Sequence, residues 1–478
     1  MKLNEIKLTN SYLKLPPLCY DRVEPTPLKK PFLIHANQKV AEDLGLDINV
    51  LKSEEFVKFI NGELKLDGSD NFAMCYAGHQ FGVFVPRLGD GRAINIGTLN
   101  NLHLQLKGAG QTLYSRNGDG RAVLRSSIRE YLMSEAMHGL GIETSRALAI
   151  IGSQQEVIRE NWEKASIVLR VSPSWIRFGT FEYFAHSNNH KELKALADYA
   201  IEECYPHLMI EDNKYFHFFT EVMGKTARLM ANWQSVGFNH GVMNTDNMSI
   251  LGITIDYGPY AFLDDYSINY ICNHTDRNGR YSFGNQPSIG EWNLHALALA
   301  LSPLVSKERL EKTLTHYGRI YSKHFLYLMG KKLGLDHTKE SDFELIKHLL
   351  GVLQSLNVDY TLFFRTLSRY NGTREPILKL GLLHNPMIEW LDSYDKRLEE
   401  NQSNTEERHN KMLKNNPKFV LKNYMLQEAI DSADNGDFSV IAKLFEIAQK
   451  PYDEHKEYEP WAGVTPHEFK NQKLSCSS

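Results

Sequence analysis

The stretch that most constrains the fold is HGVMNTDNMSILGITIDYG, from His240 to Gly258. Its centre, Ile250–Ile255, is rich in β-branched residues and has the length of a strand, so we predict a strand there. Polar loops flank it, with Asp246 and Asn247 on one side and Asp256 on the other. A tight hairpin would bring Asn247 and Asp256 together, and their oxygens suit Mg²⁺, which prefers hard ligands. An Asx-rich turn without chemistry is the alternative interpretation.

The spacing in this stretch resembles the catalytic half of protein kinases, where His-Arg-Asp is followed by an Asn and later by Asp-Phe-Gly. His240 and Asn247 keep the kinase interval, and 256–258 is Asp-Tyr-Gly. The position that holds the catalytic Asp in kinases is Val242 here, while a carboxylate, Asp246, stands immediately before Asn247. The predicted metal ligands are therefore present and the usual hydroxyl-activating acid is absent.

Length and composition bound the class of protein. The 478 residues suit two lobes plus appendages, and 42% hydrophobic with 23% charged residues is typical of a soluble globular chain. A net charge of −4 favours no nucleic-acid partner. No apolar run is long enough to cross a membrane, and the N-terminus lacks the pattern of a signal peptide. Five cysteines without a CxxC pair complete the pattern, so we expect a cytoplasmic protein with no membrane partner.

The order of patterns along the chain predicts an α+β, bilobal, protein-kinase-like fold. We assign residues 1–60 to an N-terminal arm and 61–172 to a β-rich N-lobe. Residues 173–430 are predicted to form a mainly helical C-lobe with catalytic and activation-like loops, and 431–478 a C-terminal tail.

Within the N-lobe, GVFVP and RAINIG flank LGDG, which predicts a hairpin with Gly89 and Gly91 at its turn. The next predicted strand, LHLQLK, ends at Lys107. Kinases cover the phosphates with a glycine-bearing hairpin and grip them with a strand lysine. Glycines let a backbone approach an anion, although most Gly-Asp-Gly hairpins are only hairpins.

Gly-Asp-Gly-Arg recurs at 118–121, before a helix predicted over 122–137. Amides at the helix start, with Arg121 and Arg125 nearby, indicate an anion site. Glu130 lies in this helix, where kinases place the acid that pairs with the strand lysine; a solvent-facing Glu is the alternative. Strands ALAIIG and SIVLRV follow, with Pro173 as a predicted hinge between the lobes. Arg170 and Arg177 suit bidentate phosphate binding as a pair, although either one taken singly is better explained by a structural role.

Helices are predicted within 187–236 and 291–395, with an activation-like segment after Gly258 that contains Cys272. Several long motifs then identify the chain as a member of the selenoprotein O family: YAGHQFGVFVPRLGDGR, LKGAGQTLYSRNGDGRAVLRSSIREYL, RVSPSWIRFGTFEYF, HGVMNTDNMSILGITIDYGPYAF and the terminal SCSS. The resemblance extends from near the N-terminus to the last residues. It implies a kinase-like fold of the pseudokinase type that transfers AMP from ATP to protein hydroxyls, with ATP flipped so that the α-phosphate is attacked.

The resemblance also implies roles for individual residues. Asp246 would accept the proton, Glu130 would pair with Lys107, and Asn247 with Asp256 would hold Mg²⁺ or Mn²⁺. The selenocysteine of some members corresponds to Cys476 here. The nucleotide would be held by Gly89, Gly91, Arg92, Lys107, Asp119, Gly120, Arg170, Arg177 and Asp256.

The predicted function is therefore AMP transfer from ATP to Ser, Thr or Tyr hydroxyls of protein substrates, with pyrophosphate released. UMP transfer from UTP with manganese is an alternative within the family. A kinase that moves the γ-phosphate is disfavoured by Val242, and a non-catalytic pseudokinase is disfavoured by the complete set of metal ligands. Cys272 and Cys476 prompt the hypothesis of a regulatory disulfide, with two inert thiols as the alternative.

Overall fold

The fold is α+β, as predicted, and the computed structural model describes residues 1–401, 403–470 and 472–474. In this described part, the strands are β1 (Tyr20–Arg22), β2 (Phe32–Ala36), β3 (Phe72–Met74), β4 (Gly78–Gln80), β5 (Val83–Val85), β6 (Ala93–Leu99), β7 (Leu102–Lys107), β8 (Ala122–Val123), β9 (Arg146–Ile158), β10 (Trp162–Ser172), β11 (Phe238–Asn239) and β12 (Ala261–Phe262). The α-helices over the same residues are α1 (Gln38–Asp43), α2 (Glu54–Ile60), α3 (Leu124–Gly139), α4 (Phe178–His186), α5 (His190–Cys204), α6 (Lys214–Val236), α7 (Gln286–Leu301), α8 (Lys307–Leu314), α9 (Tyr317–Lys332), α10 (Asp342–Leu356), α11 (Tyr360–Leu367), α12 (Glu375–Leu378), α13 (Asn385–Asn401), α14 (Thr405–Leu413), α15 (Asn423–Asp434) and α16 (Ser439–Gln449).

One large antiparallel sheet carries most of the strands, in the order β1-β3-β6-β7-β10-β9-β2, with β8 paired to β10. The arm joins this sheet through β2, and helices α1 and α2 share a hydrophobic core with one of its faces. Helix α3 packs on the sheet as well, and α16 packs against α3. None of the helices in the described ranges is long and apolar enough to cross a membrane.

The alternation of side chains along β7 and β10 determines which of them face α3. Leu104 and Leu106 of β7 lie in the core that contains α1 and α2. Because successive strand residues point to opposite faces, Gln105 and Lys107 face the other way. Arg170 pairs with Gln105 in the register between β10 and β7, so its side chain lies on the same face as theirs. The alternation therefore directs three polar side chains of the sheet toward α3.

The predicted strand over Ile250–Ile255 is wrong. This segment begins in a turn at Ile250 and Leu251 and forms one isolated bridge, at Thr254, among the residues described. Gly252 has φ +63°, a left-handed conformation that interrupts an extended backbone. The β-branched side chains mark burial here instead, since Ile250 and Ile255 lie in the main core.

The predicted hairpin across LGDG is also wrong. Strand β5 pairs with β4 in a separate two-stranded ribbon, whereas β6 pairs with β3 and β7. Pro86 follows β5 and has no N–H for a ladder. The carboxylate of Asp90 accepts a hydrogen bond from the main-chain N–H of Met74, which ties the connecting loop to β3. The loop is therefore held by the sheet and closes no hairpin.

The helix predicted over 122–137 runs from Leu124 to Gly139, because Ala122–Val123 pairs with β10 as β8. The strand ending at Lys107, the strands β9 and β10, and the helices within 187–236 and 291–395 are confirmed. The lobe boundaries stay predictions.

Candidate active site

A cleft of about 900 Å³ collects the residues that the sequence singled out. It is lined by Gly89, Gly91, Arg92, Lys107, Asp119, Gly120, Arg170, Arg177, Asp246, Asn247 and Asp256. Glu130 lies behind this lining, on the buried face of α3, where it contacts two of the cations. Side chains from the sheet, from α3 and from the loops after α6 thus meet in one place.

A row of alternating charges runs through the cleft. The ammonium of Lys107 lies 2.6 Å from Oε2 of Glu130, and Oε1 of Glu130 lies 2.8 Å from Nη1 of Arg170. The same Nη1 lies 2.7 Å from Oδ1 of Asp256, and Nη1 of Arg177 lies 2.5 Å from Oδ2. Three cations against two carboxylates leave positive charge in excess, which suits a polyphosphate anion.

Aromatic faces hold the two arginines of this row. The guanidinium carbon of Arg170 lies 4.6 Å from the ring centre of Trp175, and that of Arg177 lies 4.5 Å from the ring of Tyr76. Cation–π stacking of this kind fixes the plane of a guanidinium and leaves its edge for anions. The arginines are therefore positioned before any ligand binds.

Asp256 sits in a strained and strongly cationic position. Its φ is +55°, in the left-handed region that non-glycine residues rarely adopt and that is often found at functional sites. Burial by itself would raise its pKa, but the attraction of Arg177, Arg170 and Lys107 outweighs burial and holds the pKa of Asp256 well below its usual range. Asp256 is thus a permanent carboxylate.

Asp246 lies in the same cleft with the opposite environment. Burial raises its pKa to about 7, although Arg177 and a hydrogen bond from Gln80 oppose this change. Its Oδ1 has no hydrogen-bond partner among the residues described. A Cβ added at Gly78 would lie 2.5 Å from that atom, so only glycine allows β4 to come this close. Asp246 can therefore exchange a proton near neutral pH.

Asn247 and Asp256 both line the cleft and carry oxygens of the kind that a divalent metal binds. The amide nitrogen of Asn247 donates to the carbonyl of Val242 at 2.9 Å, which identifies the nitrogen end and leaves the amide oxygen as the donor to a cation. An amide oxygen beside an ionised carboxylate is a donor set of the kind that Mg²⁺ takes from proteins. These two residues therefore fit a magnesium or manganese ion.

Arg177, and not the predicted hairpin, connects the loop of Asp246 and Asn247 to the loop of Asp256. Its Nη1 donates to the main-chain oxygen of Asp246 at 2.7 Å and to the carboxylate of Asp256 at 2.5 Å. Asp246 and Asn247 stand together in a 3₁₀ turn, Thr245–Asn247. One guanidinium thus ties the two loops together, where a pair of strands was expected.

The two Gly-Asp-Gly-Arg copies both reach the cleft, but the Asp and the Arg have different roles in each copy. In the first copy Asp90 is buried and accepts hydrogen bonds from Met74, Asn95 and Gln105, while Arg92 lines the cleft.

In the second copy Asp119 lies at the rim and pairs with Arg159 at 2.8 Å. Arg121 of this copy is buried and donates to the carbonyl of Thr26, so it anchors the loop. Arg125, predicted to help bind an anion, pairs with Glu163 instead.

Two residues of the site could not be found from motif spacing. Gln80 donates a hydrogen bond to Asp246, and Arg159 lines the cleft. Gln80 belongs to the motif YAGHQFG, which was recognised as a motif without a role for its members. Arg159 lies in an ordinary polar turn, and only its ion pair with Asp119 marks it.

Cys272 is buried and lies outside the lining of the cleft. Its main-chain oxygen accepts from Leu474 at 2.9 Å, and the oxygen of Leu474 accepts from His274 at 2.8 Å. Cys476 lies outside the described residues.

Comparison with known proteins identifies the family of this chain. The family model described as Protein adenylyltransferase SelO matches residues 2–449. A relative called Protein nucleotidyltransferase YdiU from Herminiimonas arsenicoxydans is 45% identical, over 100% of this chain and 98% of its own length. The proteins of that name from Myxococcus xanthus (44%; 100% and 99% covered) and Thioalkalivibrio sulfidiphilus (46%; both fully covered) are similarly close. The chain belongs to the SelO/YdiU family of protein nucleotidyltransferases and is an enzyme of that class.

Proposed function

We propose that this enzyme transfers AMP from ATP to Ser, Thr or Tyr hydroxyls of protein substrates. The observation that carries the proposal is the pair of acids in one cleft, with Asp246 able to take up a proton and Asp256 kept ionised among cations. The family name supports nucleotidyl transfer to proteins. The geometry of the cleft supports the assignment of this reaction to Asp246 and Asp256.

In the proposed reaction the substrate hydroxyl oxygen bonds to the α-phosphorus of ATP. The bond from that phosphorus to the oxygen bridging to the β-phosphate breaks, and pyrophosphate leaves with the electron pair. The hydroxyl proton goes to Asp246. Lys107, Arg170 and Arg177 neutralise the charge that develops on the phosphate oxygens, which is the dominant contribution in this kind of chemistry.

Asn247 and Asp256 would hold the divalent ion, Mg²⁺ or Mn²⁺. When bound, the ion neutralises phosphate charge and orients the triphosphate. The row from Lys107 to Arg177 already contains its own counter-ions, so the site keeps its shape between turnovers.

The same geometry supports a kinase-like arrangement of the fold. A strand lysine paired to a helical glutamate, an Asn at the end of the 3₁₀ turn and an Asp-Tyr-Gly loop occur here in kinase order. The residue at the place of the kinase base is Val242, whereas Asp246 lines the cleft at another point. A base in a new position favours attack at a phosphate other than the γ-phosphate.

The deciding experiment compares ATP labelled at the α-phosphate with ATP labelled at the γ-phosphate. The purified protein is incubated with Mg²⁺, cell lysate and either nucleotide, with reductant present. We expect protein-bound label from the α position alone, and competition with UTP in Mn²⁺ will rank the nucleotides. Label from the γ position alone would make the protein a kinase, and no label from either would favour a non-catalytic nucleotide-binding role.

We also propose that Cys272 and Cys476 form a regulatory disulfide. The backbone pairing of Leu474 with Cys272 and His274 supports it, since it places the residue two before Cys476 against the segment that contains Cys272. Peptide mapping after oxidation should yield a bridged 272–476 species in the parent and none in Cys272→Ser. Its absence from the oxidised parent would leave both residues as inert thiols.

A further inference from the structure

Two histidines and a glutamate meet beside the cleft, outside the residues assigned to nucleotide transfer. His79 lies on β4, and Glu182 and His186 lie on α4. Their potential ligand atoms all lie within 4.8 Å of one another. Residues four apart on a helix share one face, so α4 presents a carboxylate and an imidazole together toward β4.

Glu182 is the reason to expect a ligand there. Its side chain is fully buried, and its Oε1 lies 2.5 Å from Nδ1 of His79. Its other oxygen, Oε2, is buried without a hydrogen-bond partner among the residues described. A buried carboxylate oxygen with no partner is costly, and a cation removes that cost.

The walls of this cluster are aromatic. The ring of His186 lies 4.0 Å from that of Phe84, and the ring of His79 lies 5.2 Å from both Phe84 and Trp292. These contacts restrict the imidazoles to few orientations. The cluster stays open to solvent on the side of His186, which is exposed.

We propose that His79, Glu182 and His186 bind a zinc ion. Two imidazoles and one carboxylate form a donor set that zinc uses in proteins, and the partly exposed side of His186 leaves a fourth position for water. Hard cations such as Mg²⁺ prefer oxygen ligands, so the two kinds of metal select different sites in this chain.

The zinc ion would cross-link the two elements that close over Asp246. Gly78 and Gln80 of β4 contact the Asp246 carboxyl group, and His79 itself donates its main-chain N–H to Thr245 at 2.7 Å. On the α4 side, a Cβ at Gly179 would lie 3.3 Å from Cα of Asp246. A metal that joins β4 to α4 would therefore hold the wall that buries the proposed proton acceptor.

A second group, Glu446, His455 and Glu457, also has potential ligand atoms in reach of one another. Glu446 and Glu457 are exposed, and Oε2 of Glu446 already accepts from the hydroxyl of Tyr458. This group carries no proposal and supplies a control.

The test is a zinc titration of the full chain in excess Mg²⁺, measured by competition with a chromophoric zinc indicator. We expect one tightly bound zinc per chain, with affinity reduced at least tenfold in His186→Ala and in the isosteric Glu182→Gln. His190→Ala, which removes an exposed histidine from the start of α5, is the matched control and should bind as the parent does. Zinc should raise the melting temperature of this control and leave that of His186→Ala unchanged.

Three results would overturn the proposal. The parent could retain no zinc, or His186→Ala and Glu182→Gln could bind zinc as tightly as His190→Ala does. Zinc could instead disappear in Asp256→Asn or His455→Ala, which would assign it to the cleft or to the second group. None of these measurements depends on AMP transfer, so the site can fail while the proposed function holds.

Discussion

Two loops of the same cleft carry an aspartate each, and the two carboxyl groups behave in opposite ways. Asp246 in its 3₁₀ turn has a pKa raised to about 7 because burial outweighs its polar contacts. In Asp256, burial is overcome by Arg177, Arg170 and Lys107, and the pKa lies well below the usual range. Two acids whose pKa values are pushed apart can divide proton transfer and charge stabilisation between them.

The difference comes from where the cations of the cleft lie relative to each carboxyl group. Arg177 donates to the side chain of Asp256 but to the main-chain oxygen of Asp246. Its charge therefore lies against one carboxylate and only near the other. Arg170 and Lys107 add their attraction at Asp256 only. The placement of the cations therefore makes one acid a fixed anion and leaves the other a titrating group.

The largest expected effect is that of Asp256→Asn. It removes a proposed metal ligand and the anion between Arg170 and Arg177, so AMP transfer from α-labelled ATP should fall on the order of 10³-fold. The melting temperature should also fall, because breaking a buried ion pair on one side leaves unpaired charge.

The matched control for this variant is Asp265→Asn, which removes a carboxylate that pairs with Lys470 at 2.8 Å and does not line the cleft. It should keep full transfer activity. Parental activity in Asp256→Asn would contradict the assignment of Asp256 to metal and phosphate binding.

The contrast between the two acids could be predicted only in part. The pairing of Lys107 with Glu130 is predicted from the resemblance to kinases, in which a strand lysine pairs with a helical acid, and the structure places the two side chains 2.6 Å apart. The pKa of Asp246 depends on burial by β4 and α4, which are distant in the chain. The predicted strand over Ile250–Ile255 failed because β-branched residues report burial as readily as extended structure.

The duplicated tetrapeptide marks another limit of prediction. Both copies have the same letters, yet Asp90 is anchored to β3 while Asp119 meets Arg159 at the rim. Which member of each copy faces the cleft is decided by the partners that the rest of the fold supplies. Those partners lie on other strands and in the turn between β9 and β10, so the tetrapeptide alone cannot predict the roles of its residues.

Asp246→Asn should separate activity from stability. Loss of the proton acceptor should reduce transfer on the order of 10²-fold. Between pH 3.8 and about pH 7, Asp246 is protonated in the folded chain and ionised in the unfolded chain. Above this range the folded chain must bury an ionised carboxylate, which opposes folding. Stability therefore falls as pH rises through that window, and Asn avoids the loss.

The variant should therefore have a higher melting temperature than the parent at pH 8, and its free energy of unfolding should exceed that of the parent by at most about 4 kcal/mol. Near pH 4 the two proteins should be equally stable. Thermal unfolding at both pH values measures this. A lower melting temperature at pH 8, as expected for Asp256→Asn, would show that the two acids are alike and would remove the contrast.

The pH dependence of transfer is the next test. If Asp246 accepts the proton, kcat/KM should rise with pH and level off above about 7, falling about tenfold for each unit below. Asp256 should add no second limb near neutrality, since its pKa lies well below the ordinary range. Initial rates from pH 5 to pH 9 with saturating Mg²⁺ measure the profile, and a flat profile in the parent would argue against Asp246 as the base.

The smallest expected effect comes from Gln80→Leu. Nε2 of Gln80 donates to Oδ2 of Asp246 at 3.3 Å, a contact that favours the ionised form. A hydrogen bond is worth about 1 kcal/mol, so its loss should move the rising limb of the pH profile upward by less than about one unit. Rates above that limb should stay close to those of the parent, because Gln80 contacts the base and not the metal ligands. A limb that stays in place would mean that burial alone sets the pKa of Asp246, whereas an equal loss of rate at every pH would show that Gln80 positions β4 and does not tune the acid.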